Sequence, residues 1–520
     1  MKTSTLFCAS LLALSSLGAT AHASVLRAHI DADIRSTDPG VNRDGGTDAV
    51  VLHMVEGLVG HDAKGQPKPL LADKIDVSAD GLQYTFHLRR DVKFHNGAPL
   101  TADDVLWSWQ RFMTPKTGWR CLADFDGRLR VKVLDVKAAD AHTVVYTLDR
   151  ADPLFLDSLA RSDCGGTGVV HRDSLNADGS WNQPIGTGTF KFKEWRHREF
   201  VSLAKHAGYV SRGGKVDGYV GAKRPLVDEL RYIVISDAST AKAALSSGAI
   251  DVMSKFPYSE IGEFKNHPQI AITIAPQLAP TTLQLQTRDK VMSNQKLRQA
   301  IAAALDYTQL VGGVTYGLAE PNNSIVPVSS PFFSSVQKQG YRTDPARAKQ
   351  LLAESGYKGE KIVISTNKRN PANFDAALIA QAMMQQAGIN TDIEVLEWGA
   401  QHDKWQKGNF QMMSFSYSAR MDPSLSFEAM MGPKDTQPRK LWENPKALDL
   451  LEQSMQTADA GKRQAIYDDL HRLMLQDVPV IVLFNTLSAG AYRKNIEGFQ
   501  SSIFSSPNFW EVSKQDAAAK

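Results

Sequence analysis

The sequence predicts an α/β protein built as two lobes. Three observations carry that expectation. Strands and helices alternate through residues 294–396 at the spacing of parallel βαβ units. Residues 74–112 read differently, as a β-hairpin followed by an amphipathic helix, so an antiparallel unit is added to the parallel one. Strand segments at 270–286 and 478–485 follow these regions and would carry the chain from one to the other, within about 274–285, and back, after residue 478.

The elements follow in order. Residues 25–30 are a strand, Asp38-Pro39-Gly40 a turn, and 42–47 a Gly- and Asp-rich loop before an apolar helix-like run. The apolar run 54–59 ends on Gly60, which reads as a stop. Residues 62–69 are a connector with Gly65, Pro67 and Pro69. Residues 74–78 and 82–88 flank Ala79-Asp80-Gly81 as a hairpin, with Leu82, Tyr84, Phe86 and Leu88 on one face. Asn96-Gly97 is a turn. Thr101 opens a helix, with Asp104 in the capping-box position and Val105, Leu106, Trp109 and Phe112 at helical spacing. Residues 131–136 and 143–148 are a second strand pair, and strands follow at 190–195, 200–203 and 227–235. A helix at 238–247 closes on Gly248, and 250–253 is a buried strand. Residues 270–275 and 281–286 carry the chain onward. Beyond them, Leu297, Ile301 and Leu305 share a helix face. Asp344-Pro345 is an N-cap followed by a proline at the first helical position, and Gly356 is the stop. Strand 361–366, helix 374–386 ending at Gly388, strand 391–396, helices 447–455 and 462–476, and strand 478–485 complete the series.

The 520 residues suggest roughly three or four domain-sized units. With 59 basic against 56 acidic residues the chain has no nucleic-acid footprint. Its start is an export address: Lys2, an apolar core at 6–17 too short to span a bilayer, and Ala21-His22-Ala23, with cleavage expected after Ala23. Cys8 would leave with that segment. Cys121 and Cys164 remain in an oxidising compartment and permit one disulfide; two separate buried thiols are the alternative. Neither lies in a C-x-x-C pair, so no metal site is expected.

The stretch from Met54 to Phe112 also carries a long ordered motif: Glu56-Gly57-Leu58, Leu70-Leu71-Ala72, Asp80-Gly81, Leu88-Arg89, Val92, Phe94-His95, Gly97, Pro99, Thr101-Ala102 and Asp104-Val105. It resembles the family 5 extracellular solute-binding proteins of ABC importers, the dipeptide/oligopeptide/nickel class. Residues 183–190 resemble that family's PIGTGP-(Y/F) turn, with Thr189 in place of the last proline, and Arg298-Gln299-Ala300 resembles its VRQA helix. The resemblance implies a two-lobed, type II periplasmic-binding-protein fold with an extra subdomain in the first lobe, cluster C-like. It divides the chain into a signal peptide (1–23), the first part of lobe I (24–69), the extra subdomain (70–180), the second part of lobe I (181–275), lobe II (276–485) and a return to lobe I (486–520). It further implies a monomer in the periplasm that captures a peptide-like solute between its lobes and passes it to an inner-membrane ABC permease. No resident cofactor, nucleic acid or metal is implied.

Ligands of open α/β lobes sit at the carboxyl ends of strands and between domains. The first such place is Phe415 to Pro423. In resembling peptide binders an Asp of this loop pairs with the ligand's ammonium. Here Ala419 stands at that position, leaving Asp422 in the D-P pair and Arg420 beside it. That departure points to an anionic cargo met by Arg420; the alternative is an Arg420 paired with a structural acid. The second place is the loop 367–371, where Arg369, then Lys368, would supply the carboxylate-binding cation of resembling dipeptide binders, or would form a basic surface loop. Aromatic pocket candidates are Trp398 and Tyr417, then Trp405 and Trp442, all of which could equally fill cores. By resemblance the loop 42–47, with Arg43 and Thr47, lines the pocket; read alone it is a solvated turn.

Enzyme motifs fail. There is no H-E-x-x-H and no phosphate loop. His171-Arg172-Asp173 lacks the rest of a kinase loop, and two S-x-x-K matches have no S-D-N, with Lys116-Thr117-Gly118 on the wrong side of them. The expectation is therefore a binder and not an enzyme. A metal-chelate or haem binder is the alternative cargo class, and a periplasmic enzyme or chaperone on the same scaffold the alternative function.

Overall fold

The computed structural model describes residues 23–41, 45–128, 130–504 and 506–515. The signal segment and Arg43 lie outside them. A ten-stranded mixed sheet runs through both lobes, ordered 391–395, 362–366, 412–416, 270–285, 480–493, 252–253, 25–30, 229–234, 200–205 and 190–196. Its middle pair, Ile270–Leu285 and Val480–Arg493, is long enough to belong to both lobes. The two strands pair antiparallel from Ile270 opposite Arg493 to Gln284 opposite Val480. The ladder breaks between Pro276 and Pro280, where the register shifts. Two prolines have no N–H to give, so the ladder is bound to fail there. What the sequence divides into strands 270–275 and 281–286 is thus one strand with a break at the lobe boundary.

In the second lobe, Ile362–Thr366 pairs parallel with both Thr391–Val395 and Met412–Ser416, as the strand–helix alternation requires. Gln295–Ala304, capped by Asn294, turns Leu297 and Ile301 into a core with Leu283, Leu285, Ile364 and Met412. Pro345–Glu354 starts on the Asp344 cap, and Gly356 has the left-handed φ of 70° that ends it. In the first lobe, residues 496–512 return to pack Ile496, Phe499, Phe509 and Val512 against Leu26, Leu203 and Tyr232.

A separate four-stranded antiparallel sheet, ordered 72–77, 83–88, 143–148 and 133–140, is attached to that lobe. Ile75 faces Phe86 across its hairpin, and Tyr84, Phe86 and Leu88 are buried as their shared face requires. The Ala102–Met113 helix packs on this sheet. The Asp104 carboxylate accepts the Thr101 N–H at 2.9 Å, completing the expected cap.

Three expectations need correction. Gly60 does not end an element; it lies inside Val59–His61, which pairs with Pro67–Pro69. The loop expected at 42–47 gives way to a helix, Gly45–Val51, so Thr47 is helical and fully buried. Val478 is the left-handed cap (φ 49°) of the preceding helix, and the strand begins only at Val480. Among the described residues no helix is long and apolar enough to cross a membrane.

Candidate functional site: the facing walls of the interlobe cleft

The three parallel strands of the second lobe end at one edge of the sheet. Their exits therefore bring together residues 367–370, 396–398 and 417–422, three segments far apart in sequence. Arg369, Lys368, Trp398, Tyr417 and Arg420 all lie on these exits.

Arg420 is half-buried. Its only hydrogen bond among the described residues runs from Nη1 to the Ala419 carbonyl at 3.1 Å, and no carboxylate lies within ion-pair distance. Burial, and then the neighbouring Arg161, lower its pKa from the ordinary value, while Asp163 and Glu428 oppose the shift. Tyr417 is buried, and its hydroxyl has no partner among the described residues. Burial pushes that phenol's pKa well up.

Asp422 has a different place. It caps the Pro423–Met430 helix, accepting the Ser424 N–H at 2.9 Å, the Arg463 guanidinium at 2.7 Å and the Tyr467 hydroxyl at 3.2 Å. A carboxylate with three internal donors fixes the loop, so Asp422 is better read as holding Arg420 in place than as touching a ligand. Arg369 and Lys368 are exposed and lie over Trp398 and Phe374, at 5.9 and 5.4 Å. Trp398 stacks on Phe415 at 5.8 Å, and Phe415 on Trp405 at 5.2 Å. Of these rings only Trp398 offers much surface, at 38% exposure. Trp405 and Trp442 are core residues whose indole N–H groups donate to Gln284 and Asp477. The Thr47 hydroxyl accepts from the Arg35 N–H at 3.2 Å inside the first lobe.

On the opposite wall the expected disulfide forms, but the sequence reading missed the charged groups beside it. Cys121 and Cys164 form a disulfide, Cα atoms 5.7 Å apart, that joins segments 43 residues distant. Each segment presents one basic and one acidic group. Arg161 binds Asp124 at 2.8 Å and Asp163 at 2.9 Å, and Arg120 approaches Asp163 at 3.4 Å. Burial pushes the Asp163 carboxyl up, but Arg161, then Arg420 and Arg120, hold it well below the usual carboxylate range. Arg420 is on the second lobe, so these charges meet across the cleft. Glu428 is the second lobe's acid here. It binds the fully buried Lys440 at 2.8 Å, and it acts electrostatically on Arg161 and Asp124 as well as on Arg420. Beside it Arg439 stacks over Trp405 at 5.2 Å and donates to the Ala429 carbonyl at 3.1 Å. The available signals were thin: an R-x-D at 161–163 and the Arg439-Lys440 pair.

The lobes also touch through apolar atoms. Met421 packs with Leu52, Tyr219, Phe504 and Trp510 of the first lobe. A Cβ at Gly65 would stand 3.1 Å from the Met421 sulfur, and Gly65 has a left-handed φ of 78°.

With this geometry the chain compares with known proteins as follows. The profile of the bacterial extracellular solute-binding proteins, family 5 Middle, matches residues 66–437. The chain is 25% identical over 483 residues to the glutathione-binding protein GsiB of Escherichia coli O1:K1 / APEC, covering 90% of each chain. It is also 25% identical to the probable deoxycholate-binding periplasmic protein YgiS of Escherichia coli strain K12, covering 88% of each. Among solved structures, the periplasmic binding protein DppA of Helicobacter pylori, in complex with the peptide STSA, superposes with a TM-score of 0.78. The two are 25% identical, over 95% of this chain and 98% of that one. The two-lobed sheet with its added subdomain is accordingly the type II periplasmic-binding-protein fold, and the chain belongs to the bacterial extracellular solute-binding proteins of family 5.

Proposed function

We propose that the protein captures a peptide-like, anionic small solute between its lobes and delivers it, without turnover, to an inner-membrane ABC permease. It would work in the periplasm as a monomer. The observation that carries the reading is Arg420. A half-buried guanidinium at a second-lobe strand exit has one backbone carbonyl for a hydrogen-bond partner among the described residues, and the position where resembling peptide binders carry an ammonium-binding Asp holds Ala419. A desolvated cation needs a counter-charge, and a carboxylate matches a guanidinium in bidentate geometry. Glutathione and deoxycholate, named for two relatives, are both carboxylates, which supports the same direction. Arg369 and Trp398, at the neighbouring strand exits, would extend the contact surface for a peptide-like body.

The test is mass spectrometry of the small molecules released on denaturing protein purified from a periplasm. An acidic peptide or peptide conjugate is expected, and it should be absent from an Arg420→Gln variant. A cationic or uncharged cargo would sink the anionic reading, and a metal chelate or haem would sink the peptide-like one.

A further inference from the structure

Four cations of the second-lobe wall surround Glu428 and Asp422, and they divide into two kinds. Lys440 and Arg463 each have a carboxylate partner, Glu428 and Asp422, at 2.8 and 2.7 Å. Arg420 and Arg439 have none among the described residues; each donates only to a backbone carbonyl close by in the chain. Arg439 is half-buried, and its guanidinium lies over the Trp405 ring. The Tyr417 ring packs edge-on against Trp405 at 6.5 Å, and the charge of Arg439 reaches Tyr417. The Tyr417 hydroxyl, on a side chain more than nine-tenths buried, has no hydrogen-bond partner. A buried hydroxyl left without a partner is destabilising, and a ligand acceptor would relieve that cost. A hydroxyl donor beside an unpaired guanidinium is the donor set of a carboxylate subsite.

We propose that Arg439 and the Tyr417 hydroxyl form a second anion-recognition point next to Arg420, so that the cargo carries two acidic groups. Glu428 stands close enough to both arginines to act on them electrostatically. It would face any ammonium of the same ligand. The inference rests on the reading of Arg420 as an anion site and deepens it from an anionic to a diacidic solute.

The experiment is calorimetric titration with matched probes: γ-Glu-Ala-Gly, Glu-Ala and Ala-Asp, each beside an amidated counterpart lacking one carboxylate. The wild-type protein should prefer the diacid of a bound pair at least tenfold. Arg439→Gln should erase that preference while leaving affinity for the monoacid within about twofold, and Tyr417→Phe should reduce the preference several-fold. Arg439→Lys keeps the charge but loses the planar fork, and should give an intermediate ratio at unchanged thermal midpoint, which a purely structural role would not produce. Equal binding of diacid and monoacid, both still dependent on Arg420, would overturn the second subsite and leave the anionic reading standing. Failure of every acidic probe, diacid and monoacid alike, would overturn both.

Discussion

On the first-lobe wall of the cleft, Arg120 and Arg161 are held by Asp124 and Asp163 between two segments that a disulfide ties together. On the second-lobe wall, Arg420 and Arg439 have backbone carbonyls as their hydrogen-bond partners and no ion-paired carboxylate among the described residues. The residue type is the same and the bonding state differs. Paired guanidiniums keep a surface in shape, because their geometry is already satisfied. Unpaired ones in a partly desolvated setting store an unmet demand that a ligand can meet. On the proposed function, the difference between the walls is the difference between scaffold and recognition.

That contrast can be broken in several ways. The largest effect is expected where a charge pair is most enclosed. Glu56 and Lys223 are both buried, 2.7 Å apart, with Thr187 and Tyr209 also donating to the carboxylate. Glu56→Gln would strand the ammonium, and breaking such a pair costs about 3–5 kcal/mol. Urea unfolding should show a loss of that size; a loss below about 1 kcal/mol would mean that water reaches the pair. Next comes the staple. Replacing Cys121 and Cys164 with Ala opens a closure spanning 43 residues, a loss of about 4 kcal/mol on the chain-entropy account. The same change should weaken ligand binding, since it frees the first-lobe wall. Unchanged affinity would show that the ion pairs hold that wall unaided.

Acid should act on the first lobe. Burial pulls His53 and His95 down to about 4 from the ordinary 6.5, with Lys223 and His206 respectively adding to the shift. Both folded values are depressed, so the unfolded chain binds the protons first as pH falls. The stability of the neutral rings is complete above pH 6.5 and is lost as pH drops towards 4, by up to roughly 3 kcal/mol for each. The thermal midpoint should fall across that window, and His95→Gln should flatten the slope. The smallest effect on stability, and the sharpest contrast, belongs to Arg420→Gln. Unfolding should shift by no more than about 0.5 kcal/mol, because no ion pair is broken, while affinity for an acidic cargo falls ten- to a hundredfold.

Much of the fold was legible because its signals are local. The alternation at 82–88, the Thr101–Asp104 cap, the Asp344-Pro345 start and the left-handed glycines at 248, 356 and 388 each depend on neighbours a few residues away, and each takes the expected form. The exits at 367–370 and 417–420 were legible because parallel strands must end together. What failed was long-range. Asp422 reads as the structural acid of a D-P pair, but its partner Arg463, 41 residues later, cannot be seen from the loop. Arg161 and Asp163 give no hint of Arg420 until the lobes face each other. Thr47 looks like a loop residue because the start of its helix has glycines and no strong apolar period.

The strand pair through the middle of the sheet also governs how the halves can move. Two hydrogen-bonded strands make a strip about 5 Å wide that resists stretching and in-plane shear but flexes out of its plane. The ladder is interrupted at Pro276–Pro280, so flexing concentrates there. A hinge at that break would join the lobes like the covers of a book at its spine and carry Arg420 toward Asp163 along one arc, so that the backbone, and not the solute, would set the order in which a solute meets the two walls.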